Sequence, residues 1–293
     1  MTELVVISGK GGTGKTSVVG SLASLTKSKV MVDCDVDASN LYLILEHKLK
    51  QTNDFIGGNL ATINNNKCTG CGVCLDYCRF DAIKHENRDG REYFQIDRFA
   101  CEGCGVCVHF CPEKAIDFHE TIGGKWFLSD TSHGPLVHAR LGAAQTNSGK
   151  LVSILREQAQ TLAKEGNLDL IIIDGPPGVG CPVISSITGA DYILIVTEPS
   201  MSALHDMKRL IELAGHFHIP VGLCINKHDI NSEITKQIEA FALEKKLKIL
   251  GKIPFDRAVI KAQISGIPVV EYTDAKKVND SVRILWTNLK NEL

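Results

Sequence analysis

The chain has 293 residues, 44% hydrophobic and 23% charged, with 26 Gly and 9 Pro, which excludes a disordered or collagen-like polymer. Its 34 acidic and 32 basic side chains leave a net charge of −2, so no global basic field calls for nucleic acid. No apolar run reaches the roughly 18 residues of a membrane span, and no stable membrane association is expected.

In chain order, residues 4–7 form a short β-branched run that reads as a strand. It opens into a glycine-rich loop, an amphipathic stretch at 16–27 and a second strand at 30–32. Strand-like runs return at 168–173, 192–196, 221–225 and 249–253, each nearly continuous in apolar residues, as strands buried on both faces should be. Helical patterns at 150–164, 205–216 and 233–246 lie between them. The alternation predicts an α/β fold with a doubly wound, mainly parallel sheet, whose chemistry belongs at the carboxyl ends of the strands. Residues 63–119 break the rhythm and read as a small inserted domain, leaving 1–62 and 120–293 as a discontinuous main domain. His133 and His138 fall in a stretch, 132–140, that reads as a loop. The last segment, 276–293, carries apolar residues at Val278, Val282, Leu285, Trp286 and Leu289 and reads as a helix covering the sheet, with membrane contact as the alternative.

The loop Gly9-Lys10-Gly11-Gly12-Thr13-Gly14-Lys15-Thr16 fits G-x-x-x-x-G-K-[ST] between a strand and a helix, with Ser17 following. Its glycines let backbone N–H groups curl around phosphate oxygens, and the helix adds the positive end of its dipole. In such a loop Lys15 reaches the β- and γ-phosphates and the Thr16 hydroxyl ligates Mg²⁺.

Of 11 cysteines, eight lie between Cys68 and Cys111. The opening MTELVVISGKGG reads as strand and loop, without the regions of a signal peptide, so the cluster points to metal ligands in a reducing, cytoplasmic compartment. A shift of 33 residues maps Cys68, Cys71, Cys74 and Cys78 onto Cys101, Cys104, Cys107 and Cys111. Each run is C-x-x-C-x-x-C-x-x-x-C, the spacing of two-cluster bacterial ferredoxins, in which the fourth Cys of each run serves the other cluster. One [4Fe–4S] cluster would then take Cys68, Cys71, Cys74 and Cys111, and the second Cys101, Cys104, Cys107 and Cys78. Structural zinc and disulfides are the alternatives. Arg79 stands where the first run would carry proline, which would set a cation beside the second cluster. His109 reads as a surface or packing residue.

Lys10 is more than an ordinary phosphate loop requires. The run Lys10–Thr16 resembles the deviant Walker A motif, K-G-G-x-G-K-[ST], of the MinD/ParA branch of P-loop ATPases, which includes the nitrogenase iron protein. The resemblance implies a P-loop NTPase of the SIMIBI type, with Mg²⁺ and ATP, slow partner-stimulated hydrolysis, and a homodimer with ATP at its interface. Lys10 would reach the partner's nucleotide there as a cation delivered in trans. Val32-Asp33-Cys34-Asp35 resembles the family's D-x-D element, which makes Asp35 the residue orienting the attacking water and Asp33 a partner of the Mg²⁺ shell; Asp37 adds a third acid. Asp174, followed by Gly175-Pro176-Pro177-Gly178, resembles Walker B and switch II, with Asp174 holding the Mg²⁺ shell. Asn226-Lys227-His228-Asp229 literally fits the guanine signature N-K-x-D, whereas the resemblance places Asn226, Pro254 and Asp256 around adenine. ATP is the expected nucleotide and GTP the alternative.

Cys34 and Cys224 read as packing residues. Cys181, seven residues after Asp174, matches in offset a cysteine that bridges a cluster across the nitrogenase iron protein dimer; the alternative is a buried loop thiol. Together the motifs predict an ATPase coupling nucleotide state to iron–sulfur electron transfer or to assembly of a metallocofactor, with a redox or assembly protein as partner. A positioning ATPase with redox-sensing clusters, and an amidating or carboxylating synthase, are the competing readings.

Overall fold

A computed structural model describes residues 1–88, 90–142 and 148–293. Its contacts divide the chain into two units, one of Met1–Asn53, Trp126–Arg140 and Ser148–Leu293, the other of Asp54–Lys125 with Leu141 and Gly142. In chain order the elements are β1 (Thr2–Ser8), α1 (Lys15–Leu25), β2 (Lys29–Asp33), a 3₁₀ turn at Leu41–Leu43 and β3 (His47–Ile63). Then come α2 (Val73–Tyr77), β4 (Ile83–Arg88), β5 (Arg91–Ile96), α3 (Val106–Phe110), β6 (Ile116–Thr131) and β7 (Gly134–Leu141). The remainder alternates: α4 (Ser148–Glu165), β8 (Leu170–Pro177), α5 (Cys181–Ile187), β9 (Tyr192–Thr197), α6 (Met201–His216), β10 (Val221–Asn226), α7 (Ser232–Glu244), β11 (Lys248–Ile253), α8 (Arg257–Ile264) and α9 (Lys276–Lys290).

The sheet order is β11-β10-β9-β1-β8-β2-β7-β6-β3. Every pair from β11 to β7 is parallel, in keeping with the continuous apolar runs. The chain crosses from β8 on one side of β1 to β9 on the other, which makes the carboxyl end of β1 a topological switch point, where open α/β sheets hold ligands.

Alternate strand residues Leu4, Val6, Met31, Ile172, Leu194 and Val196 face α1, α8 and α9 in one core. The stripe Val278, Val282, Leu285 and Leu289 of α9 is spent on that core, so the last helix covers the sheet. No helix among the described residues is long and apolar enough to cross a membrane.

Residues 132–140, expected as a loop, are a turn and the strand β7. Thr131 Oγ1 accepts from His133 N–H and donates to the Gly134 carbonyl, which closes a tight turn at Ser132-His133 and pairs β6 with β7 as a hairpin. His138 and Arg140 interrupt the apolar run, which hid the strand.

The second unit obeys the 33-residue repeat in its backbone as well as its cysteines. Gly70 and Gly72, like Gly103 and Gly105, all have positive φ just before the short helices α2 and α3, and Asp81 and Lys114 (φ 50° and 48°) follow them. The halves are cross-bonded: Asn64 N–H donates to the Ala115 carbonyl at 2.8 Å, and its repeat equivalent Asp97 donates to Ala82 at 2.7 Å. Tyr77 and Phe110, also equivalent, stack with centroids 4.2 Å apart.

Candidate functional site

A cleft of about 690 Å³ opens at the carboxyl ends of the parallel strands, a volume suited to a small-molecule ligand. Gly11, Gly12, Thr13, Gly14, Lys15, Thr16 and Ser17 line one wall, Asp35 and Asp37 another, and Pro254, Phe255, Asp256, Val259 and Ile260 a third. Helices α6, α7 and α8 begin with side-chain caps from Ser200, Asn231 and Asp256. At α1 the cap position is Gly14 in the left-handed region, with no side-chain acceptor. Its first-turn N–H groups therefore keep their capacity for an anion in the cleft. Gly14 is also required sterically, because a Cβ there would lie 2.2 Å from Asn226 Nδ2.

Beneath the loop, Lys15 and Asp174 are 5% and 0% exposed and form an ion pair. Burial opposes the charge of Lys15, but Asp174, with Asp33 and Asp35 behind it, holds the ammonium above its ordinary range. Asp174 Oδ2 and Thr13 Oγ1 are buried without a hydrogen-bond partner. Orphaned polar atoms at the base of a phosphate-type loop fit a bound nucleotide and a hydrated cation, which would satisfy them. Asp35 faces the cleft, and burial raises its carboxyl while Lys15 draws it down. Asp33 is turned elsewhere. Its Oδ1 accepts from Asp35 N–H at 3.1 Å, and its Oδ2 from Ser39 Oγ at 2.8 Å and from Asn40 and Leu41 N–H at 3.0 Å each. Burial, then Asp174, push the Asp33 carboxyl up to about 7. Its visible work is to fold the 35–41 loop that carries Asp35 and Asp37.

Asn226 and Lys227, at the end of β10, line the cleft and support the phosphate loop. Asn226 Nδ2 donates to the Thr13 carbonyl at 2.7 Å, and Lys227 Nζ to Gly12 at 2.8 Å. Asp229 lies off the cleft and accepts from Phe255 N–H at 2.7 Å. Asp256 caps α8 through Ala258 N–H at 2.8 Å while still lining the cleft. Gly9 and Lys10 do not line it: Gly9 packs on Asp206 of α6, and Lys10 pairs with Glu198 at 2.8 Å.

All eleven cysteines are free thiols. Eight of them surround two cavities in the second unit. Cys68, Cys71, Cys74 and Cys111 line the first, with Ile63, Phe94 and Ile116. Cys78, Cys101, Cys104 and Cys107 line the other, with Tyr77, Phe80 and Ile83. Burial pushes the Cys74 thiol up to about 11, with Cys68 adding to it, so a bound cation is needed to hold it as a thiolate at neutral pH. Ala115 N–H donates to Cys111 Sγ at 3.3 Å. No three His, Cys, Asp or Glu among the described residues sit closely enough to hold a single metal ion. Arg79 and His109 are exposed and line neither cavity.

The CobQ/CobB/MinD/ParA nucleotide-binding domain model matches residues 4–269. The chain belongs to this family. As a MinD/ParA-type P-loop ATPase, it is 36% identical over 291 residues to the uncharacterized protein MJ0578 of Methanocaldococcus jannaschii, spanning 98% of this chain and 96% of that one. It is 32% identical over 140 residues to an iron-sulfur cluster carrier protein of Pyrococcus horikoshii, a match covering 43% of this chain and 47% of the carrier. The septum site-determining protein MinD of Pyrococcus horikoshii, solved with Mg-ADP, shares the fold, with a TM-score of 0.57 at 20% identity over 99% of this chain and 96% of that one.

Glu198 is a site residue that no motif marks, and Phe255 and Lys227 lie within the motif segments but take roles the motifs did not assign. Phe255 forms cleft wall, Lys227 braces the phosphate loop, and Glu198 holds Lys10. Glu198 carried a usable signal: like Asp174, it is an acid at the carboxyl end of an apolar parallel strand. Cys181 is the exposed first residue of α5, which removes the buried-thiol alternative. Cys34 and Cys224 are fully buried, and burial raises both thiols, that of Cys224 to about 12.

Proposed function

We propose that the chain is an ATPase that ties its nucleotide state to electron transfer through iron–sulfur clusters, or to assembly of such clusters or a metallocofactor. The observation that carries this reading is the crossed grouping of the eight thiols. Each cavity takes three cysteines from one run and the fourth from the other, in the same chain as a Walker-type cleft. Four thiols around a cavity, instead of around a point, favour a [4Fe–4S] cluster over zinc. Residues 63–119 then act as an inserted ferredoxin-like domain of α+β type within an ATPase domain of 1–62 and 120–293. Such clusters, when bound, supply one-electron chemistry. The chain's part is to hold them by eight thiolates and to aim N–H groups such as that of Ala115 at sulfur, which tunes potential.

In the cleft, Lys15 would exchange Asp174 for the β- and γ-phosphates of ATP. That exchange frees Asp174 to face the water shell of Mg²⁺, whose chemistry is to neutralise phosphate charge, with the Thr16 hydroxyl as its protein ligand. Asp35 orients the attacking water, and Asp33 keeps Asp35 in place through the 35–41 loop. Lys10 acts on the nucleotide of a second copy, in a homodimer with ATP at the interface. ATP is favoured over GTP because Asp229, the carboxylate that would read guanine, is committed to Phe255 N–H away from the cleft. Pro254, Phe255, Val259 and Ile260 instead offer an apolar wall for adenine. Cys181 of two copies facing a shared metal at the dyad is a separable part of the reading. It is dropped if Cys181→Ala leaves iron content and ATPase rate unchanged.

Anaerobic purification with iron and sulfide counting tests the core of the proposal. The wild type should carry about eight irons, and Cys111→Ser and Cys78→Ser about four each, leaving different clusters by electron paramagnetic resonance. Bound zinc without iron would overturn the cluster assignment. Identical potentials and transfer rates with and without Mg-ATP would overturn the coupling and favour a positioning ATPase with redox-sensing clusters.

A further inference from the structure

Glu198 is shared by two cations. Lys10 Nζ lies 2.8 Å from its Oε1 and Lys227 Nζ 2.8 Å from its Oε2, so each oxygen serves one ammonium. The two lysines are held differently. Lys227 has a second anchor in the Gly12 carbonyl, whereas Glu198 is the one acidic partner of Lys10 among the described residues. The carboxylate is on a rigid mount: it follows the buried strand β9, and its own carbonyl accepts from Ser200 N–H at 2.8 Å, the residue that caps α6. The backbone next to Lys10 is closely packed as well, because a Cβ on Gly9 would lie 2.3 Å from Asp206 Cβ. Between two packed backbone segments, the Lys10 side chain is the part that can change partner. It is also part-exposed, at 31%.

We propose that Glu198 is a positioning residue that holds Lys10 within its own subunit, so that each subunit must release this lysine before two nucleotide-loaded copies pair. The inference rests on the reading of Lys10 as a cation acting in trans. A part-exposed ion pair is weak and exchangeable, and a triphosphate with Mg²⁺ in a facing copy offers more negative charge than one carboxylate. Two such pairs break per dimer, so Glu198 sets the threshold for pairing. It does so without touching nucleotide, since neither Lys10 nor Glu198 lines the cleft.

The test is the dimerisation constant of the full chain by sedimentation velocity, with Mg²⁺ and a non-hydrolysable ATP analogue. Glu198→Gln should tighten pairing between about 2-fold and about 30-fold, the range expected for two weak ion pairs relieved per dimer. Glu198→Asp, which keeps the charge, should shift it less, and Glu198→Ser gives the same readout if the Gln variant fails to fold. In a Lys10→Ala background, Glu198→Gln should change nothing, a result that a merely structural role would not produce. If Lys10→Ala pairs as well as the wild type, the trans reading of Lys10 falls and the proposal with it. If Lys10→Ala weakens pairing but Glu198→Gln fails to tighten it, or tightens it equally without Lys10, the holding role is overturned while the trans reading stands.

Discussion

Replacing Lys15 by Met removes the cation from a buried carboxylate. Asp174 is fully buried, its Oδ2 already lacks a partner, and Lys15 Nζ is the cation on Oδ1. Breaking one side of such a pair costs about 3–5 kcal/mol, because the remaining charge is stranded away from water. At about 2–4 °C per kcal/mol for a domain of this size, the nucleotide-free variant should melt about 6–20 °C below the wild type. The double variant Lys15→Met with Asp174→Val should regain most of that loss, since apolar replacement of a whole buried pair is close to neutral. Binding of a fluorescent ATP analogue should stay lost in both. Thermal unfolding followed by circular dichroism at pH 7.5 separates the effects. A Lys15→Met melting point within about 1 °C of wild type, or a double variant no more stable than the single one, would refute the stranded-charge argument.

Gly14→Ala forces a left-handed backbone (φ +89°) on a Cβ that meets Asn226 Nδ2, so nucleotide affinity should fall about tenfold or more by calorimetric titration. Asp229→Ala removes the acceptor of Phe255 N–H and should cost about 1 kcal/mol of stability while leaving ATP preferred over GTP. A GTP-specific loss of affinity there would show that Asp229 reads the base after all. His138 is 7% exposed, and burial, with His47 and Arg140 adding, holds its imidazole down at about 4. The unfolded chain takes up that proton near pH 6.5, so this contribution to stability is present above pH 6.5 and is lost as pH falls toward 4. Ser129 Oγ bonds His138 Nε2 at 3.0 Å, so His138→Phe is combined with Ser129→Ala, and urea unfolding at pH 7.0 and 4.5 should show this pair losing about 2–3 kcal/mol less than wild type on acidification. Equal losses would place the acid sensitivity elsewhere.

The strands that position the cleft were legible because burial on both faces writes them as unbroken apolar runs. The phosphate loop was legible because few residues other than glycine accept its backbone. The long strands β3 and β6 were not. Residues 47–54 read HKLKQTND and are mostly exposed, so no alternation marks them as a strand. Pairing at the end of the sheet, a tertiary fact, holds them extended. They also carry the boundary of the second unit outward, to Asp54–Lys125, beyond the cysteine repeat itself. The roles of Asp33 and Lys10 were blurred for a related reason: a motif names a residue type at a position, but not the partner that claims its side chain in the folded chain.

The bonds from Asn226 and Lys227 to the phosphate loop bear on how such loops choose their ligand. A loop that turns its N–H groups inward must turn carbonyls outward, and each outward carbonyl needs a donor or the peptide plane can flip and offer oxygen to the anion. Asn226 and Lys227 supply those donors at Thr13 and Gly12. In this chain, then, the first two letters of N-K-x-D serve the polarity of the phosphate cradle, and the last is spent on the backbone of Phe255. The asparagine–lysine pair identifies a braced anion site; the orientation of the aspartate decides whether guanine has anything to do with it.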